Sequence, residues 1–179
     1  MSCTTITVCR ACGSASLAEV LSLGRLPLAN ALVDPNALPD IEPRYPLETV
    51  RCAACGLLQL TVSVAPEVLF RRYVYFSSYS DAFLSHAEAL VAEIVARRRW
   101  GPASRVVEVG SNDGYLLQFY RRRGIAVLGI DPAENVADVA RQRGVETIAE
   151  FFDAALARRL REGGGCAPTS CTPTTCWPT

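Results

Sequence analysis

From Gly101-Pro102 onward the hydrophobic positions fall into short apolar runs separated by amphipathic stretches. Arg105-Val-Val-Glu-Val109 reads as a buried strand, and Gly110 to Gly114 as a turn. Tyr115 to Arg123 reads as a helix closed by Gly124. A second strand, Ala126-Val-Leu-Gly-Ile130, ends at Asp131-Pro132, and a helix over Ala133 to Arg143 is closed by Gly144. Val145 to Ile148 and Phe151 to Arg161 repeat the strand and the helix. This alternation predicts an α/β fold with a parallel sheet and crossover helices, of the kind that begins a nucleotide-binding domain.

Upstream, the period changes to that of a long helix. Asp81 to Arg99 places Phe83, Ala87, Leu90, Ile94 and Val95 on one face, with Ser80 as N-cap. A short helix is expected over Glu67 to Tyr75, followed by the hydroxyl-rich turn Tyr75-Phe-Ser-Ser-Tyr-Ser80. Residues 1–60 show no sustained period. Prolines at 27, 35, 39, 43 and 46 predict loops, with short strands at Glu48-Thr-Val-Arg51 and Leu57-Leu-Gln-Leu60.

Such a loop-rich segment cannot bury a core of its own, and the cysteines supply a remedy. Cys9-Arg-Ala-Cys12 and Cys52-Ala-Ala-Cys55 lie about forty residues apart, and a glycine follows each pair. This is the spacing of a closed four-cysteine zinc site, with a redox dithiol as the rival reading. The N-terminus lacks the basic and apolar regions of an export signal, which favours a cytoplasmic setting and metal over disulfides. Cys3 lies outside both pairs.

Composition narrows the class further. Eighteen basic residues balance eighteen acidic ones in 179, so no electrostatic case exists for a nucleic-acid partner. No apolar run approaches the ~18 residues of a membrane span. Arg97-Arg-Arg99 and Arg121-Arg-Arg123 fall at predicted helix C-termini, where cations complement the dipole.

Candidate chemistry gathers at Glu108-Val-Gly-Ser-Asn-Asp-Gly114, after the first strand. Gly110 and Gly114 free the backbone for close approach of a ligand. Asp131, at the end of the second strand, is placed to accept hydrogen bonds from ribose hydroxyls. A dinucleotide loop would read G-x-G-x-x-G. The acids Glu108 and Asp113 instead suit a cationic, phosphate-free ligand such as S-adenosylmethionine. The rival is a structural turn with incidental acids. His86, the one histidine, is either an accessory base or a helix residue bonding a neighbouring loop, and Tyr75 and Tyr79 are either catalytic or packing residues.

Taken in order, the two cysteine pairs, Leu23-Gly-Arg-Leu-Pro-Leu-Ala-Asn30, Tyr45-Pro-Leu-Glu-Thr-Val-Arg-Cys52 and the 108–114 loop resemble a known family. It is that of the S-adenosylmethionine-dependent C-methyltransferases of deoxysugar biosynthesis, which act on nucleotide-linked keto-sugars. The resemblance covers residues 9 to about 162. It implies a four-cysteine zinc-binding module followed by a partial class I methyltransferase (Rossmann-like) domain. It also implies Zn²⁺ at Cys9, Cys12, Cys52 and Cys55, and S-adenosylmethionine at Glu108, Gly110, Ser111, Asn112, Asp113, Gly114, Asp131 and Pro132. The Tyr75–Ser80 turn would lie over the active site, with Tyr75, Tyr79 and His86 as candidate catalytic groups.

The organisation expected is a zinc-binding domain over 1–66 and a helical linker with the active-site turn over 67–101. The N-terminal half of a methyltransferase domain would occupy 102–162, and 163–179 would be a disordered or frameshifted tail. In that tail Cys166, Cys171 and Cys176 recur among prolines and threonines without apolar periodicity. With suitable codons, residues 167–179 read in a shifted frame as an apolar strand and polar turn, which resembles the family's fourth strand. On that view the chain is truncated. The alternatives are another class I methyltransferase, or a zinc-binding remnant without activity.

Overall fold

The structure, a computed structural model, describes residues 3–33, 36, 42–163 and 170–173, the last four by their backbone. The chain divides at Phe70/Arg71 into two compact units.

The first unit is a set of antiparallel ribbons. Strand β1 (Cys3–Thr5) pairs with β5 (Val62–Val64). Strand β3 (Arg44–Cys52) lies between β2 (Leu17–Pro27) and β4 (Leu58–Leu60). The expected strands at 48–51 and 57–60 are present, the first as part of a longer β3. The eleven-residue β2 corrects the loop-rich expectation. Its apolar residues do not alternate, because bulges at Glu19/Leu21 and Ser22/Arg25 break the two-residue period. Val20, Leu21 and Leu23 therefore remain about half exposed. The last element, α1 (Pro66–Phe70), is shorter than the expected helix, which ran to Tyr75.

The second unit is built on a parallel sheet. Strands β6 (Arg105–Val109), β7 (Ala126–Ile130), β8 (Thr147–Ile148) and β9 (Ser170–Pro173) stand in the order β8-β7-β6-β9. That is the 3-2-1-4 order of doubly wound folds. Its α-helices are α2 (Asp81–Arg98), α3 (Leu117–Arg121), α4 (Glu134–Gln142) and α5 (Ala154–Gly163). Neighbouring positions on β6 serve opposite faces. Val106 joins the cluster of Ala87, Val91, Leu117, Tyr120 and Ala140, whereas Val107 joins Leu128, Ile130 and Leu156. Helices α2, α3 and α4 thus feed one face and α5 the other.

One expectation changes here. Helix α2 is no separate linker, because its Ala87 and Val91 are buried in the second unit's core. Its buried stripe is Leu84, Ala87, Val91 and Val95, while Phe83 and Leu90 are exposed by more than a third. Phe83, though partly exposed, stacks on the buried Tyr115 of the same core, with ring centroids 5.0 Å apart. Ser80 does cap the helix, its Oγ accepting the Phe83 N–H at 3.3 Å. In the tail, Ser170–Pro173 pairs parallel with Val106–Val109. Residues 164–169 and 174–179, with the expectations placed on them, lie outside the described residues.

Candidate metal centre and cofactor loop

Both cysteine knuckles fold in the same way. The Gly13 N–H donates to the Cys9 carbonyl, and the Gly56 N–H donates to the Cys52 carbonyl, each at 2.9 Å. Both glycines have positive φ, 74° and 78°, which a side chain would oppose. The strands bring the knuckles together through the Leu17–Cys52 register and the Ala53 N–H bond to the Ser16 carbonyl. Cys9 Sγ lies 3.6 Å from Cys55 Sγ, Cys12 Sγ lies 3.6 Å from Cys52 Sγ, and all four sulfurs fall within 4.8 Å of one another. A tetrahedral zinc with ~2.3 Å bonds holds its sulfurs about 3.8 Å apart, so the donor set fits that ion.

Electrostatics support a cation at this place. The Cys12 backbone N–H, acting against burial, pulls the Cys9 thiol down to about 6. The Cys55 backbone N–H likewise lowers Cys52. At Cys12 the Ser14 N–H pulls down, but the Cys55 and Cys52 sulfurs and burial outweigh it and push the thiol up to about 12. Four adjacent sulfurs cannot all ionise without a positive ion among them. No disulfide joins the described cysteines.

In the second unit the loop after β6 lies at the carboxyl edge of the sheet, where doubly wound folds bind ligands. The Gly110 and Ser111 N–H groups both donate to the Ile130 carbonyl, at 2.8 and 3.2 Å, tying the loop to the end of β7. Asp131 braces the same corner. Its Oδ2 accepts from the Asn112 N–H and its Oδ1 from the Ala133 N–H, both at 2.9 Å. Burial raises the Asp131 pKa, and those two N–H bonds oppose the rise. Each oxygen keeps a second lone pair, so bracing the loop leaves capacity for ligand hydroxyls.

Of the predicted loop residues, Glu108, Ser111 and Asp113 have no exposed surface, and Asn112 is buried with φ 49°. Ser111 Oγ and Asp113 Oδ1 are buried without a hydrogen-bond partner. Such groups are costly unless something bonds them, which fits a polar ligand at this loop. Gly114 has a packing reason for being glycine. At φ 75°, a Cβ there would meet Val145 Cγ2 at 3.1 Å and Ala140 Cβ at 3.3 Å. Close approach of protein, more than of ligand, sets that position. Pro132 is half-buried beside Asp131.

The hydroxyl-rich turn and the loop, 35 residues apart in sequence, meet. Asn112 grips the turn at two points, Oδ1 accepting from the Ser77 N–H at 2.9 Å and Nδ2 donating to the Tyr75 carbonyl at 3.0 Å. Asp113 Oδ2 accepts from the Ser78 N–H at 3.3 Å and from the Ser78 hydroxyl. Tyr75 and Tyr79 themselves point outward, Tyr79 with 92% of its surface exposed, and His86 is exposed on α2.

Three contributors carried no sequence signal. Arg143 reaches Asp113 from the end of α4. Asn135 holds the backbone of Tyr73 through both its amide atoms. Gly129 leaves room for Ser111, whose Oγ would lie 2.5 Å from a Cβ at 129. Each depends on a contact distant in sequence.

A zinc-type cysteine centre followed by a doubly wound α/β unit with an acidic glycine loop is thus the class that fold and site define. Residues 9–70 match the sequence profile of the family described as "Putative zinc binding domain", a stretch that falls within the first unit. Over 162 residues the chain is 38% identical to C-methyltransferase NovU of Streptomyces niveus, an alignment that covers 90% of the chain. The chain spans 39% of that relative's length. Among solved structures, it overlaps SAM-bound CalS10, an amino pentose methyltransferase from Micromonospora echinaspora. Identity is 26%, with 42% of this chain and 35% of that one covered, at a TM-score of 0.32. A mycobacterial quinone oxidoreductase overlaps 67% of this chain and 38% of its own at 15% identity, with a TM-score of 0.40. No helix among the described residues is long and apolar enough to cross a membrane.

Proposed function

We propose that this chain carries the zinc-binding domain and the cofactor loop of an S-adenosylmethionine-dependent C-methyltransferase acting on a nucleotide-linked keto-deoxysugar. The observation that carries this reading is the 38% identity, over nine-tenths of the chain, to a C-methyltransferase. The site chemistry agrees with it. When bound, the cofactor supplies an electrophilic methyl group on a sulfonium.

This chain's own residues would bind and orient that group. Asp131 offers its remaining lone pairs to the ribose hydroxyls, Asn112 fixes the loop, and the buried acid Glu108 complements a cationic ligand, while Asp113 is paired with Arg143. Methylation at carbon next to a ketone needs a base to remove a proton and a donor for the enolate oxygen. Tyr75, Tyr79 and His86 stay candidates only as accessory groups, since they lie on the exposed side. The zinc site would hold the first unit's ribbons together and take no part in the chemistry.

Calorimetric titration of the zinc-loaded chain with S-adenosylhomocysteine tests the cofactor assignment. Saturable binding is expected, weakened about tenfold or more in Asp131→Ala. A folded, zinc-loaded sample that takes up no cofactor would sink the reading. Labelled methyl transfer to thymidine-diphosphate keto-sugars, against keto-acids as controls, tests the substrate class.

A further inference from the structure

Side chains from elsewhere hold the segment Tyr73–Ser78 by its backbone. Asn135 accepts from the Tyr73 N–H at 3.1 Å and donates to its carbonyl at 2.7 Å. Asn112 does the same for the Ser77 N–H and Tyr75 carbonyl, and Asp113 takes the Ser78 N–H. These side chains replace the ladder that a strand would have provided. The last of these supports has a second layer. Arg143 Nη1 lies 2.8 Å from Asp113 Oδ2, 3.1 Å from the Asp113 carbonyl and 2.7 Å from Ser78 Oγ.

The burial of this triad is uneven. Asp113 has no exposed surface, whereas the Arg143 side chain is 40% exposed. A carboxylate buried to this degree needs a cation or several donors to remain in place. Arg143 is the cation paired with it, and it comes from the end of α4, 30 residues away. The other carboxylate oxygen, Asp113 Oδ1, is buried without a partner in the loop read above as the cofactor site. Asp113 therefore joins three things: the turn, the cationic arm and the ligand loop.

We propose that Arg143 is a positioning residue for the cofactor loop: acting through Asp113 and Ser78, it fixes the Tyr73–Ser78 segment against the loop and thereby sets cofactor affinity. Its affinity part rests on the proposed function above, and its conformational part does not. Arg141, two residues earlier on α4, is the internal control. It pairs with Glu134 and Asp138 and donates to the Thr147 carbonyl, none of which is Asp113 or Ser78.

The experiment compares the full zinc-loaded chain with Arg143→Met, Arg143→Lys and Arg141→Met by amide hydrogen exchange at Ser77 and Ser78. Calorimetry with S-adenosylhomocysteine follows on the same samples. In Arg143→Met the two amides are expected to exchange about tenfold faster and affinity to fall about tenfold, while amides of β6 and β7 keep their protection. Arg143→Lys restores part of both effects, and Arg141→Met changes neither. Unchanged exchange at Ser77 and Ser78 in Arg143→Met overturns the proposal. So does equal loosening in Arg141→Met, and so does a freed segment with unaltered affinity. If the parent chain binds no cofactor, the functional reading fails with the affinity claim, and exchange alone then decides whether Arg143 holds the segment.

Discussion

The two units of this molecule owe their stability to different physics. In the first, the buried residues among those described are Cys9, Val50, Cys52 and Gln59, and two of the four belong to the sulfur cluster. In the second, two apolar clusters line both faces of a parallel sheet, with Leu117, Val106, Val136 and Val145 fully enclosed. A ribbon with bulged strands and half-exposed leucines does not gain enough from burial to offset chain entropy, so metal coordination must supply the difference. The sheet unit gains it from packing and can use its polar groups to shape a loop.

The sharpest way to break this contrast is to remove the metal. Chelation of zinc, or Cys52→Ser, is expected to unfold the β2–β3–β4 ribbon outright, since structural zinc sites contribute on the order of 10 kcal/mol. Hydrogen exchange resolved along the chain reads it. Protection should vanish in residues 44–60 and persist in 105–130, and a ribbon that stays protected without metal would end the contrast.

The converse change is Leu117→Ala, which opens a cavity at a residue with no exposed surface. It should cost the second unit about 2–5 kcal/mol and leave the zinc content unchanged. Denaturant unfolding followed by Trp100, which packs on the same cluster, measures the loss.

A smaller effect sharpens the picture at the loop. Gly129→Ala would place a Cβ 2.5 Å from Ser111 Oγ and 2.9 Å from Thr147 Oγ1, at an expected cost of about 1–3 kcal/mol. Adding Ser111→Ala should recover part of this in a double-mutant cycle. If it does not, the steric account of Gly129 is mistaken.

The smallest effect is one of pH. Burial raises the Asp131 pKa above the ordinary carboxylate value, so the folded state holds its proton more tightly than the unfolded chain does. The corresponding stability is fully present below the ordinary value and is lost as pH rises through the raised one. Asp131→Asn should flatten that segment of the stability–pH curve for the second unit, while the parent chain shows the decline.

Much of this was legible in the sequence because it rests on local rules. The cysteine spacing, the Ser80 cap, the strand–helix alternation and the 108–114 loop each need only neighbours along the chain, and each is found, although α3, β8 and α5 begin two or three residues later than expected. The residues that failed to signal themselves are those whose role is long-range. Strand β2 hides its period in two bulges, and the buried stripe of α2 runs through Leu84, Ala87, Val91 and Val95, set by what packs against it. Asn135, Arg143 and Gly129 look ordinary until folding brings Tyr73, Asp113 and Ser111 against them.

By itself, then, the sequence determined two cysteine knuckles of zinc-ligand spacing and an acidic glycine loop at the end of the first strand of a parallel sheet. Each follows from short-range geometry that few conformations satisfy, whereas the β2–β3 pairing brings the two knuckles together. Only the tertiary structure decided that the turn at 75–80 is clamped to that loop, that Asp131 gives one lone pair per oxygen to backbone, and that the tyrosines and His86 face outward. Those outcomes depend on which distant groups arrive at hydrogen-bonding distance, and the hydrophobic pattern along the chain does not encode that.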